Sequence, residues 1–263
     1  LASARNLGVV EVVFVCWNAA SDNDCWSSRV WPSALPKLAI RVVPVASSVH
    51  DAAIRRMGAD AEGERFLEYE AKNVGVRAAA GTFVLATNID VLISSCAVDH
   101  MDTHLPRLRT AGSGWLFGDA AFFWRAYRSD LKSSVFQTLL LEDADKNLEN
   151  YLSSAEQSVQ ARLGLVDGAW WPRILVHERS LPLSEILTNA AGDFTLMSRK
   201  WWIESGGYST LPFAWHMDSL LLFRLQRLGL TQQIFPCRVY HRPHAVRGHG
   251  RPRAHIFRYF LQT

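Results

Sequence analysis

Asn88 and Asp90 lie two residues apart in Thr87-Asn88-Ile89-Asp90, directly after the apolar run from Phe83 to Ala86. If the strand continues through them, both side chains project to one side and present an amide and a carboxylate together. A hard divalent cation that bridges a diphosphate needs only one or two protein carboxylates, because phosphate oxygens and water complete its shell. Asp90 suits that task, and an Asx turn closing the strand is the plainer alternative for an isolated Asn-x-Asp. Lys72 and Arg77, a little upstream, bear charge that would offset a departing diphosphate, although solvated helix surface is the commoner home for such cations. Near the C-terminus His241 and His244 offer imidazoles, which suit Mn2+ beside oxygen ligands, whereas Mg2+ favours oxygen alone. Asp193 and Asp218 are further carboxylates. Asp218 opens an apolar-periodic segment, where an aspartate is either an N-cap or a base able to accept a proton from a hydroxyl.

These side chains need elements to position them. Residues 9–17 read as a nearly continuous apolar strand of the kind covered on both faces, ending in the polar turn NAASDND, and a second strand is expected over 38–45. Between 64 and 80, Leu67, Ala71, Val74 and Ala78 recur at helical spacing, with Gly81 placed as a C-cap glycine. The run TFVLATNID follows, so the order is strand, helix, strand. That alternation predicts an open, mostly parallel α/β sheet whose ligand crevice lies beyond the carboxyl ends of the strands. Later, DFTLMS reads as a strand and SRKWWIESGGY as a short helix capped by Ser198 and stopped by Gly206-Gly207. Leu221, Leu222, Leu225 and Leu228 mark one face of a helix running from near Asp218 to Gly229, and residues 234–240 look strand-like. From 130 to 185 the periodicity is mixed and assigns no role.

Two long blocks give these elements a family likeness. EYEAKNVGVRAAAGTFVLATNID, residues 68–90, resembles the family-two glycosyltransferase pattern in which a K/R-N-x-G-x-x-x-A-x-G helix leads into a D-x-D strand. NAASDND after the first strand is similar to the nucleotide loop of GT-A enzymes. The second block, NAAGDFTLMSRKWWIESGGY followed by LPFAWHMDSLLLFRLQRLGL, resembles their acceptor-side half, with its W-x-x-x-G-G-Y helix. The likeness implies a GT-A (Rossmann-like) domain over 1–263, with a nucleotide-sugar-binding half at 1–128, a variable insertion at 129–185, and an acceptor-side half with a basic C-terminal segment at 186–263. It implies a metal-dependent, inverting transfer from a nucleoside-diphosphate sugar, UDP-linked by preference, to a carbohydrate or glycoconjugate acceptor. By the same likeness Trp17, Asn18, Asp22, Lys72, Asn73, Arg77 and Asn88 contact the donor. Asp90, His241 and His244 hold Mn2+ or Mg2+, and Asp218, with Asp193 as rival or assistant, is the base. Trp202, Trp215 and His216 line the acceptor side, where sugar rings stack on aromatic faces, although one of the adjacent Trp201 and Trp202 is expected in the core. Asn88 departs from the acidic norm, which weakens the expected metal site. A retaining, exostosin-like enzyme and a non-catalytic sugar- or nucleotide-binding module on the same fold are the alternatives.

Bulk properties agree with one folded domain: 263 residues, 49% of them apolar and 20% charged, are ordinary globular usage. The net charge of +3 conceals arginines and histidines crowded between Arg238 and Arg258, for which a lid over a diphosphate and a basic surface tail are the two readings. The histidine spacing there fits no zinc motif, and nucleic acid is not an expected partner. Cys16, Cys25, Cys96 and Cys237 form no C-x-x-C pair and read as free, partly buried thiols. No window approaches the roughly 18 consecutive apolar residues of a membrane span. The expectation is a soluble domain, with membrane or Golgi-lumen attachment left to an anchor preceding Leu1 and a cytoplasmic site otherwise.

Overall fold

The computed structural model describes residues 6–19, 25, 37–58, 67–110, 122–130, 186–188, 191–210 and 217–242. Within these, strands and helices are interspersed in an α/β protein, but they come in runs of two or three strands and one or two helices rather than alternating singly. Strand β1 (Val10–Ala19) pairs parallel with β2 (Leu38–Ala46), in unbroken register from Val10 opposite Leu38 to Trp17 opposite Val45. Helices α1 (Ser47–Met57) and α2 (Glu68–Ala78) follow, then β3 (Phe83–Ala86), β4 (Val91–Ile93) and α3 (Ser95–Thr110). Next come β5 (Phe122–Arg125), β6 (Arg128–Asp130), β7 (Thr195–Ser198), α4 (Arg199–Glu204), α5 (Met217–Arg227), β8 (Thr231–Ile234) and β9 (Val239–His241).

The expected mostly parallel sheet is replaced by small mixed sheets. In the four-stranded sheet, ordered β3-β7-β5-β8, β7 runs antiparallel to both neighbours while β5 and β8 are parallel. A second sheet, ordered β4-β9-β6, is also mixed. An apolar run such as that in β7 encodes burial on both faces but not direction, because a strand satisfies its ladder with either orientation.

Side-chain alternation divides the four-stranded sheet between two cores. Val84, Phe123 and Met197 face one, with Trp202, Tyr208, Leu221, Leu222 and Leu225. Leu196, Phe122 and Trp124 face the other, with Phe194, Phe235 and Val239. Each apolar side chain buried there contributes on the order of 1.5–3 kcal/mol.

Several local expectations shift. Helix α2 ends at Ala78 with Ala79 as its C-cap, two residues before Gly81, and its buried positions are Ala71, Asn73 and Val76 rather than the whole Leu67-to-Ala78 stripe. Ser198 does occupy the N-cap of α4, in extended geometry, but makes no side-chain cap bond. Gly206 and Gly207 end α4 at φ 76° and 70°. Helix α5 buries Leu221, Leu222 and Leu225, whereas Leu228 lies past its last turn and is exposed. Gly229, at φ 88°, lets Leu230 N–H return to Leu225 O at 3.0 Å, closing the helix in a left-handed C-terminal turn. The 234–240 segment is two strands, because residues 235–238 carry the chain from one sheet to the other.

The cysteines are not free thiols. Cys16 bonds to Cys25 and Cys96 to Cys237, at sequence separations of 9 and 141. Neither separation leaves a local pattern, which is why spacing does not reveal the pairs. Among the described residues no helix is long and apolar enough to cross a membrane.

Candidate functional site

The chain leaves β3 at Ala86 and turns before entering β4, with Val91 N–H donating to Asn88 O at 3.2 Å. Asn88 and Asp90 therefore stand on a turn rather than a strand, and the alternation expected to aim them together does not operate. Asn88 Nδ2 donates to Asp193 Oδ1 at 2.8 Å, whereas Asp90 faces His241, whose Nε2 lies 3.3 Å from Asp90 Oδ2. The latter pair is set by β4 and β9, in which Val91 sits opposite His241, and by Arg242 N–H donating to Asp90 O at 2.8 Å. Two side chains 151 positions apart in sequence thus offer one carboxylate oxygen and one imidazole nitrogen at one place. Among the described residues no three His, Cys, Asp or Glu side chains gather as a metal-ligating group.

The second focus is the loop Ala191-Gly192-Asp193, whose polar groups are held from several elements at once. Arg125 on β5 donates to Ala191 O at 3.1 Å, and Lys72 on α2 donates to Gly192 O at 2.7 Å. Gly192 N–H donates to Asp218 Oδ2 at 2.8 Å, and Thr87 Oγ1 donates to Asp193 O at 2.7 Å. The Asp193 carboxylate then receives Asn88 on one oxygen and Arg128, at 2.8 Å, on the other. A Cβ on Gly192 would come within 3.2 Å of Lys72 Nζ and 3.4 Å of Glu68 Oε1, so the missing side chain is what lets these charges close on the backbone. Asp218, in the first turn of α5, also accepts Ser219 N–H at 2.8 Å on its other oxygen.

Charge and burial are concentrated here. Burial holds the phenols of Tyr69 and Tyr208 well above the usual tyrosine range, and the nearby Asp218 carboxylate pushes both in the same direction. Burial lowers the fully enclosed Arg125 guanidinium to about 10, opposed by Tyr208, Asp218 and Asp193. At neutral pH the phenols stay protonated and Arg125 stays charged.

Other predicted site residues have different surroundings. Lys72, bonded to Glu68 and Gly192 O and set near the Tyr69 and Tyr208 rings, braces this loop. Asn73 is buried and clamps the Tyr208 backbone in both directions, accepting its N–H at 2.8 Å and donating to its C=O at 2.9 Å. Trp202 is 1% exposed and donates its indole N–H to Val84 O, which makes it a core residue instead of an acceptor platform. Arg77 is exposed on the last turn of α2. Trp17 donates to His50 Nδ1 at 3.0 Å, and Asn18 beside it takes a left-handed φ of 59° at the irregular end of β1. Asp22, Trp215, His216 and His244 lie outside the described residues, as do most of the 129–185 insertion and the basic segment after 242.

Sequence reasoning missed Glu68, Arg125 and Arg128. Arg125 closes the apolar run Phe122–Trp124, and a cation inside a strand of that kind is a sign of a buried, paired charge. Arg128 shows no comparable signal, since its partner is 65 positions away. No protein-family model matches this chain, and no curated protein matches its sequence.

Proposed function

We propose that this chain is a GT-A-type glycosyltransferase that moves a sugar from a nucleoside-diphosphate sugar to a hydroxyl of a carbohydrate or glycoconjugate acceptor. The observation that supports the reading best is the meeting of Asp90 and His241 at 3.3 Å, on a turn and a strand end brought together by the β4–β9 ladder. A carboxylate and an imidazole are a donor set that suits Mn2+, with phosphate oxygens and water in the other positions. Such an ion would neutralise charge on the departing diphosphate. Asp218 is the proposed base, because an inverting transfer asks one fixed carboxylate to take the acceptor proton, and Gly192 N–H together with α5 fixes this one. Asp193, held by Asn88 and Arg128, adjoins Gly192, which bonds Asp218, and is proposed to assist it.

The test is a hydrolysis and transfer screen over nucleoside-diphosphate sugars with Mn2+, comparing the parent with Asp90→Ala and Asp218→Asn. Turnover of one donor, abolished by either substitution, is the expected result; equal turnover by all three proteins would discard the assignment.

One observation favours a second reading, a binding module without transfer activity. Asn88 donates to Asp193 instead of adding a second acid beside Asp90, so the site has fewer anionic ligands than a D-x-D pair provides. Mn2+-dependent binding of a nucleotide sugar by calorimetry, with no turnover for any acceptor, identifies that case.

A further inference from the structure

Asp90 and His241 owe their meeting to a short ladder. Strands β4 and β9 pair over only three positions, Val91–His241, Leu92–Tyr240 and Ile93–Val239. Both chains enter this sheet from the larger one, β4 after the turn at 87–90 and β9 after residues 235–238. A three-pair ladder closing a segment of about 150 residues gains only modestly from its own hydrogen bonds, while loop closure opposes it.

The Cys96–Cys237 disulfide lies beside that ladder. Cys96 comes six residues after Asp90, in the first turn of α3, and Cys237 comes four residues before His241, just ahead of β9. Through the bond, the covalent path between the two candidate ligands shrinks from 151 residues to these two short arms. Cys237 is buried in the core with Phe194, Phe235 and Val239, so the bond is shielded once made. The second disulfide, Cys16–Cys25, starts instead from the end of β1, where Trp17 and Asn18 lie, and leaves the β4–β9 ladder untouched.

From this placement we infer that the Cys96–Cys237 disulfide is a staple for the Asp90–His241 pair, and that the pair assembles only in chains folded in an oxidising compartment. All four cysteines are paired, and a reducing cytosol does not sustain such bonds. The staple is a property of the backbone and stands whatever the site binds; its consequence for Mn2+ rests on the glycosyltransferase reading.

The experiment is hydrogen exchange on the intact oxidised chain and on a Cys96→Ala/Cys237→Ala variant, with Cys16→Ala/Cys25→Ala as the comparison. The amides to follow are Val239 and Arg242, which donate to Tyr127 O and Asp90 O, with those of Leu221–Leu225 in α5 as the internal reference. Loss of Cys96–Cys237 should speed exchange at Val239 and Arg242 at least tenfold beyond any change in α5, while loss of Cys16–Cys25 should change β9 and α5 to the same extent. Mn2+ affinity, read by electron paramagnetic resonance, should fall at least tenfold in the first variant alone. Unchanged β9 exchange, free thiols at Cys96 and Cys237 in the native chain, or equal loss of α5 protection would overturn the staple. Failure of the oxidised parent to bind Mn2+, with the exchange pattern as expected, would instead remove the metal reading and leave the staple standing.

Discussion

Arg128 and Asp193 form the contact whose chemistry can be isolated most cleanly. The Asp193 side chain is 6% exposed and that of Arg128 31%, so removing the cation strands a carboxylate that water reaches poorly. Breaking one partner of a buried pair costs roughly 3–5 kcal/mol, and the exposure of Arg128 reduces this, so Arg128→Ala should lose about 2–3 kcal/mol in urea unfolding. Adding Asp193→Asn removes the stranded charge and should restore at least half of that loss; an additive double variant would refute the account. At Asp218 the expectation is the reverse, little stability lost and activity removed. Asparagine keeps an oxygen for Gly192 N–H, so Asp218→Asn should cost no more than about 1 kcal/mol. It cannot accept the acceptor proton, so transfer should fall by about 10²–10⁴-fold. A substantial fall in melting temperature with activity retained per folded molecule would return Asp218 to being a helix cap and nothing more.

Two elements show how backbone and burial constrain what the sequence offers. Gly207 sits at φ 70° where a Cβ would overlap the Asn73 side-chain oxygen that holds Tyr208. Gly207→Ala therefore adds left-handed strain of about 1–2 kcal/mol and breaks a buried clamp, for a fall of about 3 kcal/mol in chemical denaturation. Gly58, also left-handed but with open space around its Cβ, should lose only the strain. Helix α3 presents His100 against Trp124 and Phe235, with His104 stacked beside it at 4.2 Å. Burial, then His104, lowers His100 to about 3, below its ordinary value of 6.5; burial and Arg107 lower His104 as well. A base whose folded pKa lies below its unfolded one is protonated first in the unfolded chain. Stability is thus complete above pH 6.5 and falls as pH drops from 6.5 toward 3, by ~2 kcal/mol at pH 5. His100→Phe should flatten that acid limb between pH 7 and 5, and an unchanged slope would place its origin elsewhere. The same elements show what was legible. The GGY stop, the C-terminal glycine of α5 and the placement of β1, β2, β3 and β7 follow from local rules of turn geometry and periodicity. The antiparallel setting of β7, the choice of Trp202 over Trp201 as the buried ring, the burial of Asn73 and the diverging aim of Asn88 and Asp90 depend on partners remote in sequence, which no window of residues contains.

At the scale of the molecule, the two disulfides differ in what they constrain. In the chain-entropy view a crosslink stabilises by removing conformations from the unfolded chain, and the effect grows with the logarithm of the loop it closes. The Cys16–Cys25 loop, at a separation of 9, is worth roughly 2.5 kcal/mol on that basis, and the Cys96–Cys237 loop, at 141, roughly 5 kcal/mol. A domain of ordinary stability has only about 5–15 kcal/mol in all, so losing the longer crosslink removes a large share of it. The urea midpoint should fall at least half again as far for Cys96→Ala/Cys237→Ala as for Cys16→Ala/Cys25→Ala, with a steeper slope because the uncrosslinked unfolded chain exposes more surface. Both ends of the long crosslink sit in one core, Cys237 with Phe235 and Val239 and Cys96 packed against the same cluster. Removing both pairs should cost close to the sum of the two, because the crosslinks close separate, non-overlapping loops. A smaller fall for the long loop than for the short one would mean that the unfolded chain already holds Cys96 and Cys237 near each other, and that the site's two halves find one another before the bond forms.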